Sequence, residues 1–209
     1  RATYSDFQGD VIERTGIEGL EALDDVTMVS VPDLMTPMPG QKLDVETVKA
    51  VQTLIIGHCE RMGDRVAILD APPDMNPQQI NNWRMNTAGY DSSYATLYYP
   101  WIRVMDPVSN MPKLVPPSGH MAGVWARSDN TRGVHKAPAN ETIRNITGLE
   151  VKLNKEEQDI LNPSPVNVNV LRDFRSSSRG YRVWGARVIT SDPDWKYVNV
   201  RRLFIYIEE

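Results

Sequence analysis

Residues 44–70, DVETVKAVQTLIIGHCERMGDRVAILD, contain a helix signal followed directly by a strand signal. Asp44 is a preferred N-cap residue, and apolar side chains then recur at helical spacing over residues 45–62. Gly63 stands where a helix usually ends. The run 66–69 is apolar throughout, which predicts a strand that is covered on both faces.

Further strand and helix signals lie on both sides of this unit. Residues 26–31 form a Val-rich run that stops at Pro32, and residues 94–105 are a third strand candidate. Asn76 followed by Pro77 predicts a second helix, because Asn caps well and Pro suits the first turn. Strand, helix, strand, helix, strand predicts right-handed crossovers and an α/β fold with a mostly parallel central sheet flanked by helices.

The second half of the chain predicts one long helix and several shorter elements. Residues 118–130 favour a helix with Ser118 as N-cap, in which Gly119 and Gly123 would allow close approach to a neighbour. Two strands are predicted at residues 181–190 and 197–207, joined by the turn Ser-Asp-Pro-Asp. Short elements are predicted over residues 142–153, 154–159 and 166–171.

Length and charge are typical of one globular domain, or of a domain with a subdomain. The 209 residues can bury most of their unfolded surface, and the net charge of -4 disfavours nucleic acid or an anionic membrane as partner. The single cysteine, Cys59, lies on the apolar side of a predicted helix and is expected to be buried. No membrane-spanning run and no signal peptide is found, which predicts synthesis in the cytoplasm.

Three stretches of the chain resemble one known family. Residues 115–140, VPPSGHMAGVWARSDNTRGVHKAPAN, are similar to the signature of contractile tail sheath proteins. Residues 183–207, VWGARVITSDPDWKYVNVRRLFIYI, resemble that family's junction with its C-terminal domain. Residues 65–99, with VAILDAPP, NPQQ, WRMN and YDSSYA, resemble the sheaths of phage tails and phage-like injection particles.

The resemblance implies a fold and a domain organisation. It implies a non-catalytic, subtilisin-like sheath core over residues 25–180, preceded by a weakly structured segment over residues 1–24. Residues 181–209 would begin an α+β C-terminal sheath domain. The chain begins at Arg1 rather than Met, so it is expected to be a piece of a longer protein.

The resemblance also implies a structural function. Subunits of the family polymerise helically around an inner tube and contract to drive it through a target envelope. The implied partners are further copies of the subunit, the inner tube protein, and baseplate and terminator or cap proteins, without nucleic acid or membrane insertion. The site of action would be a phage tail or a tail-like particle. Neighbours in the family are linked by β-augmentation through N- and C-terminal extensions. Most of the C-terminal domain and the exchanging arm are expected to be absent from this chain, so the chain alone is not expected to polymerise.

Protease chemistry is not predicted to accompany the core. The run His-Met-Ala-Gly at residues 120–123 resembles His-Val-Ala-Gly on the subtilisin nucleophile helix, where the serine lies five residues before the His. That position is Val115, which has no oxygen to attack a carbonyl. The adjacent Ser118 is expected to cap a helix, and strand-end Asp70 to cap a turn.

The three histidines do not supply a base by sequence. His58, His120 and His135 all lie outside a His-Gly-Thr-His setting. His58 and Cys59 are adjacent on a helix, where side chains point about 100° apart, so a dyad is disfavoured.

No metal or cofactor is predicted, because zinc, calcium and phosphate-loop motifs do not occur. A divergent subtilisin-type serine hydrolase using Ser118, and a non-contractile baseplate or scaffold component, stay open as alternatives.

Four residues are candidate subunit or domain contacts. Arg201 and Arg202 fit an ion pair between subunits or domains, or a strand that alternates a solvent-facing with a snorkelling arginine. Lys136 fits a contact or a loop that crosses the core. Trp195 fits packing at the subdomain junction, as does Trp184 outside these four, but core packing is favoured for both because large aromatic residues are more often core residues than partner anchors.

Overall fold

The computed structural model describes residues 2–37 and 40–208, and it contains two sheets with helices on both faces of the larger one. The helices are α1 (Tyr4–Gln8), α2 (Val45–Met62), α3 (Pro77–Asn82), α4 (Ser118–Arg132), α5 (Lys155–Leu161) and α6 (Val198–Glu208). The strands are β1 (Met28–Val29), β2 (Val66–Asp70), β3 (Ala95–Tyr99), β4 (Ile102–Met105), β5 (Pro112–Val115), β6 (Gly148–Leu149), β7 (Val168–Asp173) and β8 (Tyr181–Val183).

The larger sheet has five strands in the order β1-β2-β3-β7-β8. Strands β1, β2, β3 and β7 are parallel, and β8 runs antiparallel to β7. Alternate side chains of β2 point to opposite faces: Ala67 and Leu69 pack in the core beneath α2, and Val66 and Ile68 pack in the core beneath α4. The predicted α/β fold with a mostly parallel sheet flanked by helices is confirmed.

Local capping chemistry positions α2 and α3 as predicted. The Asp44 carboxylate accepts a hydrogen bond from the Thr47 N–H at 3.1 Å, and Gly63 ends α2 with a φ of 74°. Asn76 and Gln79 form a reciprocal capping box at the start of α3. A π-helical turn, Trp83–Ala88, continues α3.

The prediction of one strand over residues 94–105 is wrong. The chain leaves the large sheet after Tyr99, and β4 joins a separate antiparallel sheet in the order β5-β4-β6. Pro100 lies between the two strands and has no N–H for a ladder. The Trp101 indole Nε1 donates to the Ala71 carbonyl at 2.9 Å and fixes the chain where it changes sheets.

The predicted strand at residues 197–207 is also wrong, because α6 occupies this segment. Val198, Arg201, Arg202 and Ile205 are its buried positions, and their spacing of three and four residues is that of one helix face. The β-branched and aromatic residues favour a strand by propensity, but packing of this face decides the structure. The strands predicted at 181–190 and 26–31 are shortened to β8 and β1.

The start of α4 differs from the prediction in two ways. Ser118 is the first helical residue rather than the N-cap, and its N–H donates to a carboxylate oxygen of Asp70 at 2.8 Å. Asp70 at the end of β2 therefore serves the helix start that Ser118 was expected to cap. The predicted close approach at Gly119 and Gly123 is wrong, since an added Cβ at either would meet nothing within 4 Å.

The segment over residues 2–25 packs against the start of β2 through Arg65. They include α1 and a 3₁₀ turn, Glu18–Ala22, which is more helix than the sequence predicts. Arg65 is fully buried and donates to the carbonyls of Leu20 and Leu23, each at 2.8 Å. The guanidinium thus supplies hydrogen-bond donors to two carbonyls of this segment.

Candidate functional site

The most informative surface feature is the way in which α6 is attached to the core. Ile205 on its inner face is 6% exposed, whereas Ile207, two residues later, is 66% exposed. Phe204 and Tyr206 are exposed beside Ile207. The helix therefore presents an apolar outer face while its inner face is held by two arginines.

Arg201 binds α6 to the segment that precedes β3. Its guanidinium carbon lies 3.6 Å from the centroid of the Trp195 ring and 4.3 Å from that of Tyr94. The same side chain donates to the Ser93 hydroxyl at 2.9 Å and to the Tyr94 hydroxyl at 3.2 Å. Stacking and hydrogen bonding together hold this cation inside the chain.

Arg202 binds α6 to α4. It forms a two-pronged ion pair with Asp129, at 2.9 and 2.5 Å, and its guanidinium carbon lies 4.9 Å from the Trp125 ring centroid. Such forked pairing fixes both position and orientation. The pair joins two elements whose sequence positions are 73 residues apart.

The other two sequence-predicted contacts also have partners within the chain. Trp195 is half-buried and packs edge-on against Phe204 with ring centroids 5.0 Å apart. Lys136 donates to the carbonyls of Ala137 and Ala139 and to the Glu141 carboxylate at 2.9 Å. The structure brings Arg201 and Trp195 into contact, and Arg202 lies beside Arg201 on α6. Lys136 lies apart from them, in a loop that it binds to Glu141.

Sequence reasoning missed Tyr94 and Asp129, which complete the attachment of α6, and Arg65, which attaches the N-terminal segment. Their local sequence surroundings suggest ordinary roles, since Arg65 directly precedes a strand and Asp129 lies near the end of a helix. The partners through which they join separate segments are tens of residues away, so spacing carries no signal for these contacts. The adjacent Arg201 and Arg202 were the detectable part.

The surroundings of Ser118 do not assemble a nucleophile. Its side chain is fully buried, and its hydroxyl has no hydrogen-bond partner among residues 2–37 and 40–208. The nearby Asp70 is buried too, and this burial raises the pKa of its carboxyl group to about 7. A serine nucleophile needs a base positioned to take the proton of its hydroxyl, whereas the neighbouring Asp70 carboxylate accepts from the Ser118 backbone N–H.

The histidines and the cysteine have surroundings that suit packing. Burial is the main reason that the pKa of His58 and that of His120 are lowered. Cys59 is fully buried, as predicted, and burial raises the pKa of its thiol to about 12. A thiol with that pKa is a poor nucleophile near neutral pH.

The described residues offer neither a metal-binding cluster nor a membrane-spanning helix. No group of three or more His, Cys, Asp or Glu side chains over residues 2–37 and 40–208 is arranged to hold a metal ion. None of the helices in the same ranges combines the length and apolar content needed to cross a membrane.

Comparison with known proteins shows to which family the chain belongs. A family model described as the phage tail sheath protein central domain matches residues 13–189. The chain belongs to the phage tail sheath protein family. The resemblance seen in the sequence is thereby confirmed, and most of the junction-like stretch 183–207 lies beyond the match to this sheath model.

Individual sheath proteins show the same relationship. The putative prophage major tail sheath protein of Pseudomonas aeruginosa (strain UCBPP-PA14) is 28% identical over 192 residues, which cover 89% of this chain and 45% of that protein. The tail sheath protein of Salmonella phage ViI is 29% identical over 134 residues, covering 62% of this chain and 20% of that protein. The chain thus spans less than half the length of these sheath relatives.

Solved sheath structures share the fold. The anti-feeding prophage helical sheath in its contracted state is 30% identical, with a TM-score of 0.65 over 90% of this chain and 46% of that chain. The sheath complex of an extracellular contractile injection system, PVC, in its contracted state is 31% identical, with a TM-score of 0.67 over 90% of this chain and 47% of that chain.

Proposed function

We propose that this chain is part of a structural subunit of a contractile tail sheath, which polymerises helically around an inner tube and contracts to drive it through a target envelope. The observation that carries the proposal is the match of 90% of the chain to sheath subunits from two assemblies in the contracted state. The energy for movement would be stored in the lattice, as a small gain per subunit summed over many copies.

The finer architecture belongs to the same proposal. Residues 25–180 would be a subtilisin-like sheath core, preceded by residues 1–24, and residues 181–209 would begin the C-terminal domain. The parallel sheet with α4 behind it supports the core assignment. The attachment of α6 by Arg201 and Arg202 supports a firm junction at the start of the second domain.

The core would act without catalysis. The buried Ser118 hydroxyl, which lacks a partner among the described residues, supports this reading over a serine hydrolase. A fluorophosphonate probe tests the point directly, because it labels an activated serine. We expect no labelling of this chain, and labelling that Ser118→Ala abolishes would instead identify a hydrolase.

The partners follow from the proposed assembly. They would be further copies of the subunit, the inner tube protein, and baseplate and terminator or cap proteins, in a phage tail or tail-like particle. Nucleic-acid binding and membrane insertion are not part of the proposal. Arg201, Arg202, Lys136 and Trp195 remain candidate contacts at subunit or domain boundaries, although each also has a partner within the chain.

Negative-stain electron microscopy of the full gene product, expressed with its inner tube protein, tests the proposal. We expect striated tubes of regular diameter. Expression of the tube protein alone is the control, because a bare inner tube would be narrower. Persistent monomers in the presence of inner tubes would contradict the sheath function.

A further inference from the structure

An arginine-rich surface covers the connection between β7 and β8. We call it the basic hairpin, and it consists of Arg172, Arg175, Arg179 and Arg182, of which the first three stack on the ring of Phe174 or Tyr181. The guanidinium carbons of Arg172 and Arg179 each lie 4.8 Å from the Phe174 ring centroid. Stacking holds these cations in place, so a partner would fix few additional rotamers.

The positive charge of the basic hairpin is mostly uncompensated. Asp173 pairs with Arg175 at 2.8 Å, and that arginine side chain remains 61% exposed. Over residues 2–37 and 40–208, no ion pair involves Arg172, Arg179 or Arg182. A local positive surface on a chain of net charge -4 is therefore a candidate binding surface for carboxylates.

A surface of opposite charge lies at the other end of the chain. We call residues 10–25 the acidic segment, since they carry six carboxylates and a single arginine. Glu21 pairs with Arg61 at 2.6 Å. In the described part of the chain, Glu13, Asp24 and Asp25 are exposed and take part in no ion pair.

The sheet topology separates these two surfaces. The acidic segment immediately precedes β1, so it lies at the amino end of the parallel strands beside the β1 edge. The basic hairpin follows β7, so it lies at the carboxyl end beside the β8 edge. The strand order therefore places the two surfaces at diagonally opposite corners of the sheet.

We propose that the basic hairpin of one copy docks on the acidic segment of the next copy, head to tail. Opposite charges at opposite corners favour a heterologous contact, which repeats without closing and so builds a filament. A symmetric pairing of like surfaces would bring equal charges together. An arginine guanidinium can bind a carboxylate through two parallel hydrogen bonds. This geometry would fix the register of successive copies. The inference rests on the proposed self-assembly and names one surface that mediates it.

Two variants of this 209-residue chain, each with the charges of one surface reduced, test the contact. The hairpin variant carries Arg175→Gln and Arg179→Gln, and the acidic variant carries Glu13→Gln, Asp24→Asn and Asp25→Asn. Each keeps one intact surface, so each alone should be monomeric in sedimentation velocity at high protein concentration and low salt. Their equimolar mixture should form 1:1 dimers that cannot extend further.

The wild-type chain should form short oligomers, but no tubes, in the same conditions. About 0.5 M salt should weaken their association at least tenfold, because charge pairs at a rim are screened. Arg132→Gln with Arg144→Gln removes the same charge outside the basic hairpin and should leave the oligomers intact. A mixture that stays monomeric, or a wild-type chain that never associates, would overturn the contact. Tubes from the full gene product would in that case still support the sheath proposal.

Discussion

His58 is a fully buried imidazole next to the arginine that holds the N-terminal segment. Its Nε2 lies 3.4 Å from Arg65, and its Nδ1 lies 4.0 Å from the Glu21 carboxylate. Burial, and then the positive charges of Arg65 and Arg61, lower its pKa from the ordinary 6.5, against a smaller opposing effect of Glu21 and Asp64. The folded state therefore resists protonation of this ring.

The sign of the resulting pH dependence is fixed. A histidine whose pKa is lowered on folding contributes stability that is present above pH 6.5 and is lost as the pH falls below it. We expect the Tm of His58→Gln, relative to wild type, to become more favourable as the pH falls. His135→Gln, at an exposed position, is the control, and equal trends for the two variants would contradict the assignment.

Asp70 should show the opposite trend. Burial raises the pKa of its carboxyl group from 3.8 to about 7, so the folded state binds a proton more tightly than the unfolded state does. Stability from this group is present below pH 3.8 and is lost as the pH rises through about 7. We expect the Tm of Asp70→Asn, relative to wild type, to improve with rising pH, because the amide oxygen still accepts from Ser118. An unchanged difference from acid to neutral pH would contradict this account.

Among single residues, those with local signals could be predicted. The caps at Asp44, Gly63 and Asn76, and the burial of Cys59, follow from propensity and spacing. The capping of α4 by Asp70 could not be predicted in the same way, because its partner is 48 residues away. Ser118 offered a plausible local cap, and the distant carboxylate took that role.

At the scale of elements, α6 is the clearest departure from the sequence-based expectation. A strand would place Ile205 and Ile207 on one face, whereas the helix buries the first and exposes the second. We expect Ile205→Ala to lower the free energy of unfolding by about 3 kcal/mol, as for a buried aliphatic residue. Ile207→Ala should change it by less than about 0.5 kcal/mol. Equal losses in chemical denaturation would favour the strand.

The Arg202–Asp129 pair should matter more to stability than an exposed pair does. Both side chains are largely buried, at 6% and 20% exposure, so removing one partner leaves a charge without its hydrogen bonds. We expect Arg202→Gln to cost about 2 kcal/mol in the free energy of unfolding. Arg61→Gln, which breaks the exposed pair with Glu21, should cost less than about 1 kcal/mol. A double-mutant cycle with Asp129→Asn measures the coupling free energy between Arg202 and Asp129. A value near zero would show that this ion pair contributes nothing to stability.

Elements with strong periodicity were predictable, and those decided by long-range packing were not. Helix α2 matches its predicted bounds because capping, apolar spacing and the terminal glycine agree. Strand β4 was not separated from β3 by sequence, since apolar residues predominate in both strands and the change of sheet takes only two residues. Segment 197–207 has two compatible periods, and the arginine partners on other elements select the helical one.

On the scale of the whole molecule, the parallel order of the sheet could be inferred from alternating strand and helix signals. The antiparallel sheet of β5, β4 and β6 could not, because β6 has two residues and little sequence signal. The wide separation of the basic hairpin and the acidic segment also emerges at this scale, from strand order alone. The proposed head-to-tail contact would depend on this placement, which no short motif encodes.

The central claim is that this fold repeats in a tube that contracts. Cryo-electron microscopy of tubes formed by the full gene product on its inner tube protein, imaged before and after contraction is triggered, tests it most directly. The account predicts that residues 2–37 and 40–208 fit a helically repeating density in both states, and that the second tube is shorter and wider. Tubes of fixed length and diameter, or density that this fold does not fit, would contradict it.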